Sequence, residues 1–270
     1  MSARYDVEGL VVVVMGGTTG LGLSAAQALV ANGAKVVVTS RSEANVQAAL
    51  DSLGENARGF AADASLPETA ERAVALAVEA FGRLDALYHV AGGSGRAKGD
   101  GPLHEITDEG LRYTLDLNLT SLIASNRAAV KQFMKQGGGG CILNMGSVLG
   151  WSPSPEFFAS HAYAAAKAGI VGFSRSIASY YAPQNIRVNV IAPALVETPM
   201  SQRAVGNEAI VQFVAAKQPL DGGRVGSPAD VEGAALFLLS RAAQFITGQV
   251  LAVDGGWTVS EGREAPNKKN

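Results

Sequence analysis

The sequence has a single cysteine, Cys141, among its 270 residues. An internal disulfide and a cysteine-rich metal site are thereby excluded. Charge is also sparse: Asp, Glu, Lys and Arg make up 17% of the chain and leave a formal net charge of −2. Such a balance gives no basic face for nucleic acid or an anionic membrane. No apolar run reaches the ~18 residues that a membrane span needs. The opening "MSARYDVEGL" is too charged for a signal peptide. Of the few histidines, His104 and His161 lack partners at ligand spacing, so no metal site is expected. These absences lead to the expectation of a cytoplasmic protein with no nucleic-acid or membrane partner.

Apolar residues are plentiful at 47%, enough for a large core without covalent staples. Strand-like runs at 10–15, 35–40, 57–63, 84–92, 140–147, 186–193 and 248–256 alternate with helical patterns. The helices are expected near 21–32, 42–53, 67–82, a long region ending near Gln136, 161–181 and 228–240. Seven β-branched runs without polar alternation predict a parallel sheet covered on both faces, a doubly wound, Rossmann-like α/β fold. No repeat or linker divides the chain. Residues 1–257 are expected to form one dinucleotide-binding and catalytic domain, with 258–270 as a polar tail.

Three glycine-rich stretches compete as a phosphate cradle. Such a cradle needs free N–H groups at a helix N-terminus and glycines that let the ligand approach. Only "MGGTTGLG" at 15–22 lies between a strand and a helix, with Gly16, Gly20 and Gly22 spaced as G-x-x-x-G-x-G. The run at 137–140 reads as a helix stop and turn. The run at 91–101, carrying Arg96 and Lys98, reads as a solvated insertion, with a loop over the ligand as the alternative. After the second strand come Ser40 and Arg41, with no carboxylate before Glu43. A carboxylate there would accept from the ribose hydroxyls of NAD, whereas an arginine fork suits a 2′-phosphate. NADP(H) is therefore preferred. NAD(H) is the alternative, with Arg41 then a surface charge or a stacking group.

Taken in order, the motifs resemble the single-domain short-chain dehydrogenases/reductases over residues 7–257. They are "GGTTGLG" (16–22), Asp63, "VAG" (90–92), "LNLTS" with Asn118, "ILNMGS" ending at Ser147 and "YAAAK" (163–167). "VNVIAPALVETPM" (188–200) and "TGQVLAVDGG" (247–256) complete the set. The resemblance implies that Asn118, Ser147, Tyr163 and Lys167 are a catalytic tetrad. It also implies that Gly16, Thr18, Thr19, Gly20, Leu21 and Gly22 hold the pyrophosphate and that Asp63 and Ala64 lie at the adenine. Ala91, Gly92, Pro193, Val196 and Thr198 would flank the nicotinamide half, and the protein would be a homo-oligomer, tetramer or dimer. The sequence departs from the family at Met15 (usually threonine), His89 (usually asparagine) and Ala194 (usually glycine). His89 is read as structural.

These residue types suit hydride chemistry. Tyr163 and Lys167 share a helix face at i,i+4. Moving a tyrosine from ~10 to ~7 needs about 4 kcal/mol, and a cation about 4 Å away at an effective dielectric of about 20 supplies on the order of 4 kcal/mol. Lys167 is thus expected to lower Tyr163. The Ser147 hydroxyl can donate to a carbonyl oxygen as charge develops there. Substrate-lining candidates besides Ser147 are Ser94, Leu149, Trp151, Phe157, Phe158, Leu195, Met200 and Phe213. Their character suggests a ketone or secondary alcohol with an apolar portion. Arg96, Lys98, Gln202 or Arg203 would add polarity and keep a sugar dehydrogenase or 3-oxoacyl thioester reductase in view. A non-catalytic dinucleotide-binding regulator is the remote alternative, since it would need neither Tyr163 nor Ser147.

Overall fold

The computed structural model describes residues 5–262. All seven strands are parallel and belong to one sheet of order β3-β2-β1-β4-β5-β6-β7. They are β1 (Val11–Met15), β2 (Lys35–Ser40), β3 (Ala57–Ala61), β4 (Ala86–His89), β5 (Gly140–Met145), β6 (Ile186–Pro193) and β7 (Val250–Val253). The helices are α1 (Gly20–Ala31), α2 (Glu43–Leu53), α3 (Pro67–Phe81), α4 (Asp108–Leu115), α5 (Ser121–Gln136) and α6 (His161–Tyr181). Three more, α7 (Gln202–Val205), α8 (Glu208–Lys217) and α9 (Pro228–Leu239), follow β6.

The valine run explains the layering. In a strand, successive side chains point to opposite faces. Val12 and Val14 therefore join Ala25, Leu29, Ala49 and Leu236 in a core under α1, α2 and α9. Val11, Val13 and Met15 face the other way, against Ala73, Ala77, Ala129 and Phe133 from α3 and α5. Each such valine taken out of water contributes roughly 1.5–3 kcal/mol, and a strand buried on both faces has no reason to alternate with polar residues. The strand order reverses at β1 and β4, which opens a crevice at their C-terminal ends. That crevice holds the site.

The long helical region expected before Gln136 is made of two α-helices joined by a wider turn. Between α4 and α5, residues Asp116–Thr120 form a π turn. Wider turns of this kind recur at functional sites because they re-aim a side chain without ending the helix. Gly137 then stops α5, as the glycine run predicts.

Helix α9 begins as its sequence suggests, with Ser227 as N-cap and proline in the first turn. Asp230 accepts from the Ser227 N–H at 2.6 Å and from its hydroxyl at 2.9 Å, and pairs with two nitrogens of Arg224 at 2.7 and 2.8 Å. Hydrogen bonding to Arg224 is the largest cause holding the Asp230 carboxyl well below the usual carboxylate range. Its stabilising contribution is present above the unfolded carboxylate pKa and is lost as the pH falls through the folded value. Asp230→Ala is expected to cost about 1 kcal/mol, as for other lost caps, read as a lowered urea midpoint with an unchanged m-value. An unchanged midpoint at pH 7 would show that this cap adds nothing.

The expected tail is only partly described. Its first residues lie on α8, where the Lys217 ammonium donates to the Ser260 carbonyl at 2.6 Å. Residues 263–270 lie outside the described residues.

Candidate active site

The turn after β1 has the geometry that a phosphate cradle needs. Gly16 and Gly20 have φ of +81° and +51°, a region that costs other residues energy. At Gly22 a Cβ would lie 2.1 Å from the Gly16 carbonyl oxygen, so only glycine lets the turn close on the helix. Helix α1 starts at an N-cap, Thr19, whose side chain makes no cap bond, and its first turn holds no acidic residue. Its free N–H groups and positive dipole end therefore face the crevice without a protein acceptor. Thr18 adds a buried hydroxyl with no partner among the described residues.

A cavity of about 290 Å³ runs from this turn along the strand ends. Gly16, Thr19, Gly20, Leu21, Ser40, Arg41, Asp63, Ala64, Ala91, Gly92, Pro193, Val196 and Thr198 line it, together with Ser147, Tyr163 and Lys167. Thr18 and Gly22 lie behind the turn and Asn118 behind Gly93, so these three shape the wall rather than line it. Arg41 is exposed and forms no ion pair among the described residues. The Asp63 carboxylate accepts from the N–H and hydroxyl of Ser65 at 2.9 and 2.8 Å, which fixes its orientation at the rim.

Asn118, Ser147, Tyr163 and Lys167 come from three separate elements. Asn118 sits in the π turn, where its side-chain amide donates to the Thr114 and Gly93 carbonyls, both at 2.9 Å, and accepts from the Gly93 N–H at 3.0 Å. A Cβ on Gly92 would stand 2.8 Å from the Asn118 Oδ1 and 3.6 Å from the Lys167 Nζ, so both side chains flank this one glycine. Lys167 is 3% exposed and donates to the Met145 carbonyl at 2.8 Å. Burial brings its pKa down to about 8. Its Nζ lies 5.4 Å from the Tyr163 ring centroid. Below these residues Asn144 of β5 exchanges hydrogen bonds with Asn126 of α5 and donates to Ser174 of α6 at 3.0 Å, locking the two helices together.

The electrostatic expectation for Tyr163 needs correction. Its pKa is not lowered by the chain itself but pushed up to about 12, because burial outweighs the hydrogen bond with Ser147. Lys167 donates to the Met145 carbonyl, and its charge is not among the causes that move Tyr163.

A second cavity, of about 130 Å³, adjoins the first. Ser147, Tyr163, Ala194, Leu195, Met200 and Ser201 line both. Of the expected substrate residues, Ser94, Leu149 and Phe158 also line the second cavity. Trp151, Phe157 and Phe213 do not. Trp151 points outward, 45% exposed, while Phe157 and Phe213 stack on each other with centroids 5.2 Å apart, one layer behind the wall. Trp257, the residue at the expected domain end, lines the cavity instead, 1% exposed and edge-on to Phe158 and Phe213. Its aromatic bulk in an otherwise small and polar stretch was the available signal.

The loop after β4 is not the solvated insertion expected. It folds around Asp100, 4% exposed, whose carboxylate accepts from the Ala162 and Tyr163 N–H groups, each at 3.0 Å. Asp100 thus caps α6 from 62 residues away, where the local N-cap, Ser160, makes no cap bond. The same loop sends Arg96 into the second cavity, where Arg203 joins it; Lys98 and Gln202 stay out.

Known proteins resemble this chain in sequence and in fold. The family model described as enoyl-(acyl carrier protein) reductase matches residues 16–258. A 3-oxoacyl-(acyl-carrier-protein) reductase of Vibrio cholerae is 36% identical over 93% of this chain and 98% of its own length. Carbonyl reductase family member 4 of Danio rerio is 37% identical over 90% of this chain and 96% of its own. A short-chain type dehydrogenase/reductase from Mycobacterium ulcerans superposes with a TM-score of 0.86 at 30% identity, covering 95% of this chain and 92% of that one. The chain is a short-chain dehydrogenase/reductase. As a member of that family it is a nicotinamide-dependent oxidoreductase acting on carbonyl and CH–OH groups.

Of its departures from this family, His89 and Met15 are accommodated in the core, while Ala194 lines both cavities. His89 is fully buried on β4, with Nδ1 2.7 Å from the Ser125 hydroxyl and Nε2 3.4 Å from that of Ser121. Burial, with the charge of Lys167 second, brings its pKa down to about 3, so it ties β4 to α5 as a neutral ring. Met15 is buried and receives a weak hydrogen bond from the Thr39 hydroxyl at 3.7 Å. No helix among the described residues is long and apolar enough to cross a membrane.

Proposed function

We propose that this enzyme is a cytoplasmic, homo-oligomeric, NADP(H)-preferring carbonyl reductase that uses Tyr163 as proton donor. One observation carries the reading: Ser147 and Tyr163 line both cavities and stand where the two meet. The residues of the larger cavity suit a dinucleotide, because the α1 terminus beside it has no side-chain cap and no acidic residue in its first turn and so favours a phosphate. The nicotinamide, when bound, supplies or accepts the hydride. Everything else falls to the chain. Ser147 donates to the carbonyl oxygen and holds it as negative charge grows there. Tyr163, protonated at neutral pH, passes its proton to that oxygen. Lys167, fixed by the Met145 carbonyl, keeps a positive charge beside the phenol, and Asn118 holds the Gly92–Gly93 backbone that forms the floor.

The 3-oxoacyl thioester reading is the second candidate, favoured by the likeness to the Vibrio cholerae enzyme. NADPH oxidation across ketones, a sugar and an acetoacetyl thioester separates the two. No oxidation with any of them would overturn both.

Arg41 supports the cofactor preference, because it lines the cavity beside Ser40 at a strand end that has no carboxylate before Glu43. Arg41→Ala is expected to weaken NADPH by about 10–100-fold, the value of one charge-assisted contact, and NADH far less. Equal losses for the two cofactors, measured by fluorescence titration, would remove the preference.

A further inference from the structure

The second cavity carries unbalanced charge. Arg96 and Arg203 line it, and no Asp or Glu does. Both guanidiniums donate to one neutral acceptor, the Phe157 carbonyl, at 3.1 and 3.3 Å. Each has five N–H donors, so most are left over. The carboxylate whose charge acts on Arg96 is Asp100, and both its oxygens accept from N–H groups at the start of α6. Neither arginine forms an ion pair among the described residues. Crowding has a visible cost, since burial and then the repulsion from Arg203 pull the Arg96 pKa down. Two unpaired like charges held at one carbonyl, facing a cavity, are arranged for an anion from outside the chain.

We propose that Arg96 and Arg203 clamp an anionic group of the substrate while its carbonyl lies at Ser147 and Tyr163. The inference rests on the carbonyl-reductase reading of this site and narrows its substrates to anionic ones. The apolar wall between the two ends, with Leu149, Phe158 and Trp257, holds the body of the molecule. The anion is either the carboxylate of a short oxo acid or a phosphate on the carrier of an acyl thioester.

Matched pairs separate these sources: 4-oxopentanoate against its methyl ester, and acetoacetyl-coenzyme A against the uncharged N-acetylcysteamine thioester. Within the pair that contains the true source, kcat/KM is expected to favour the anion by about 10–100-fold, the value of a charge-assisted contact. Arg96→Met and Arg203→Met keep the apolar stem and should bring that ratio toward one; the ratio, not the absolute rate, is the readout. No preference in either pair, or a preference that survives both substitutions, would overturn the clamp and leave the reductase reading intact. Binding gives a measure independent of turnover. In a Trp151→Phe background, Trp257 fluorescence should report 4-oxopentanoate at about 10-fold lower concentration than 4-oxopentanamide. Equal titrations of acid and amide would sink the carboxylate form of the clamp even if no ketone were reduced.

Discussion

Tyr163→Phe is expected to lower kcat for ketone reduction by about 10²–10⁴-fold, the usual contribution of a positioned acid. NADPH affinity should change far less, because the ring that borders the larger cavity is retained. Ser147 would still hold the substrate oxygen, so KM should move little. Since burial keeps the Tyr163 proton on up to about pH 12 in the protein alone, the side chain is poised as an acid at neutral pH. The sign for the reverse reaction follows. Alcohol oxidation needs the phenolate, so its kcat/KM should rise with pH across 7–10 while ketone reduction does not rise. The comparison needs only initial rates in both directions. A phenylalanine variant with turnover near that of the parent would eliminate Tyr163 as the proton donor.

Asp100→Ala should be the most damaging single change outside the cavities. The carboxylate satisfies two N–H groups at the first turn of α6, one belonging to Tyr163 itself. Each charge-assisted bond is worth about 1.5–3 kcal/mol net, and partial resolvation of the helix end brings the expected loss for the pair to about 3 kcal/mol. The backbone of Tyr163 loses its anchor at the same time, so kcat should fall along with stability. Asp100→Asn retains one acceptor oxygen and should lie between the two. Urea denaturation paired with kcat measures both effects. A wild-type midpoint for the alanine variant would show that the loop and the helix are not joined through this carboxylate.

The fold was largely legible because its signals are local. The limits expected for the second and sixth strands and for the helix at 161–181 coincide with β2, β6 and α6. Long β-branched runs admit few other readings once they alternate with helices. The π turn was not legible, since the residues of "DLNLT" are all compatible with an ordinary helical turn and nothing local marks the extra one. It is nevertheless what brings the Asn118 amide to the Gly93 backbone.

The proposed binding residues divide along the same line. Those on the glycine turn and at strand ends follow from chain order, because a parallel sheet delivers every strand's C-terminal end to one edge. The substrate wall does not. Phe157 and Phe213 were expected there on size alone, yet they prefer each other and leave the wall to Trp257. Asp100 and the Arg96–Arg203 pair are matters of long-range placement, joining segments that share no local signal.

By its own order of residues, the sequence determined a parallel sheet, a glycine turn between its first strand and first helix, and a tyrosine–lysine pair on one helix face. Periodicity and spacing are properties of the chain itself. Tertiary structure alone decided which charges lack partners among the described residues, how far burial raises Tyr163, and which aromatics line the second cavity. Those depend on desolvation and on neighbours that only folding brings within a few ångströms.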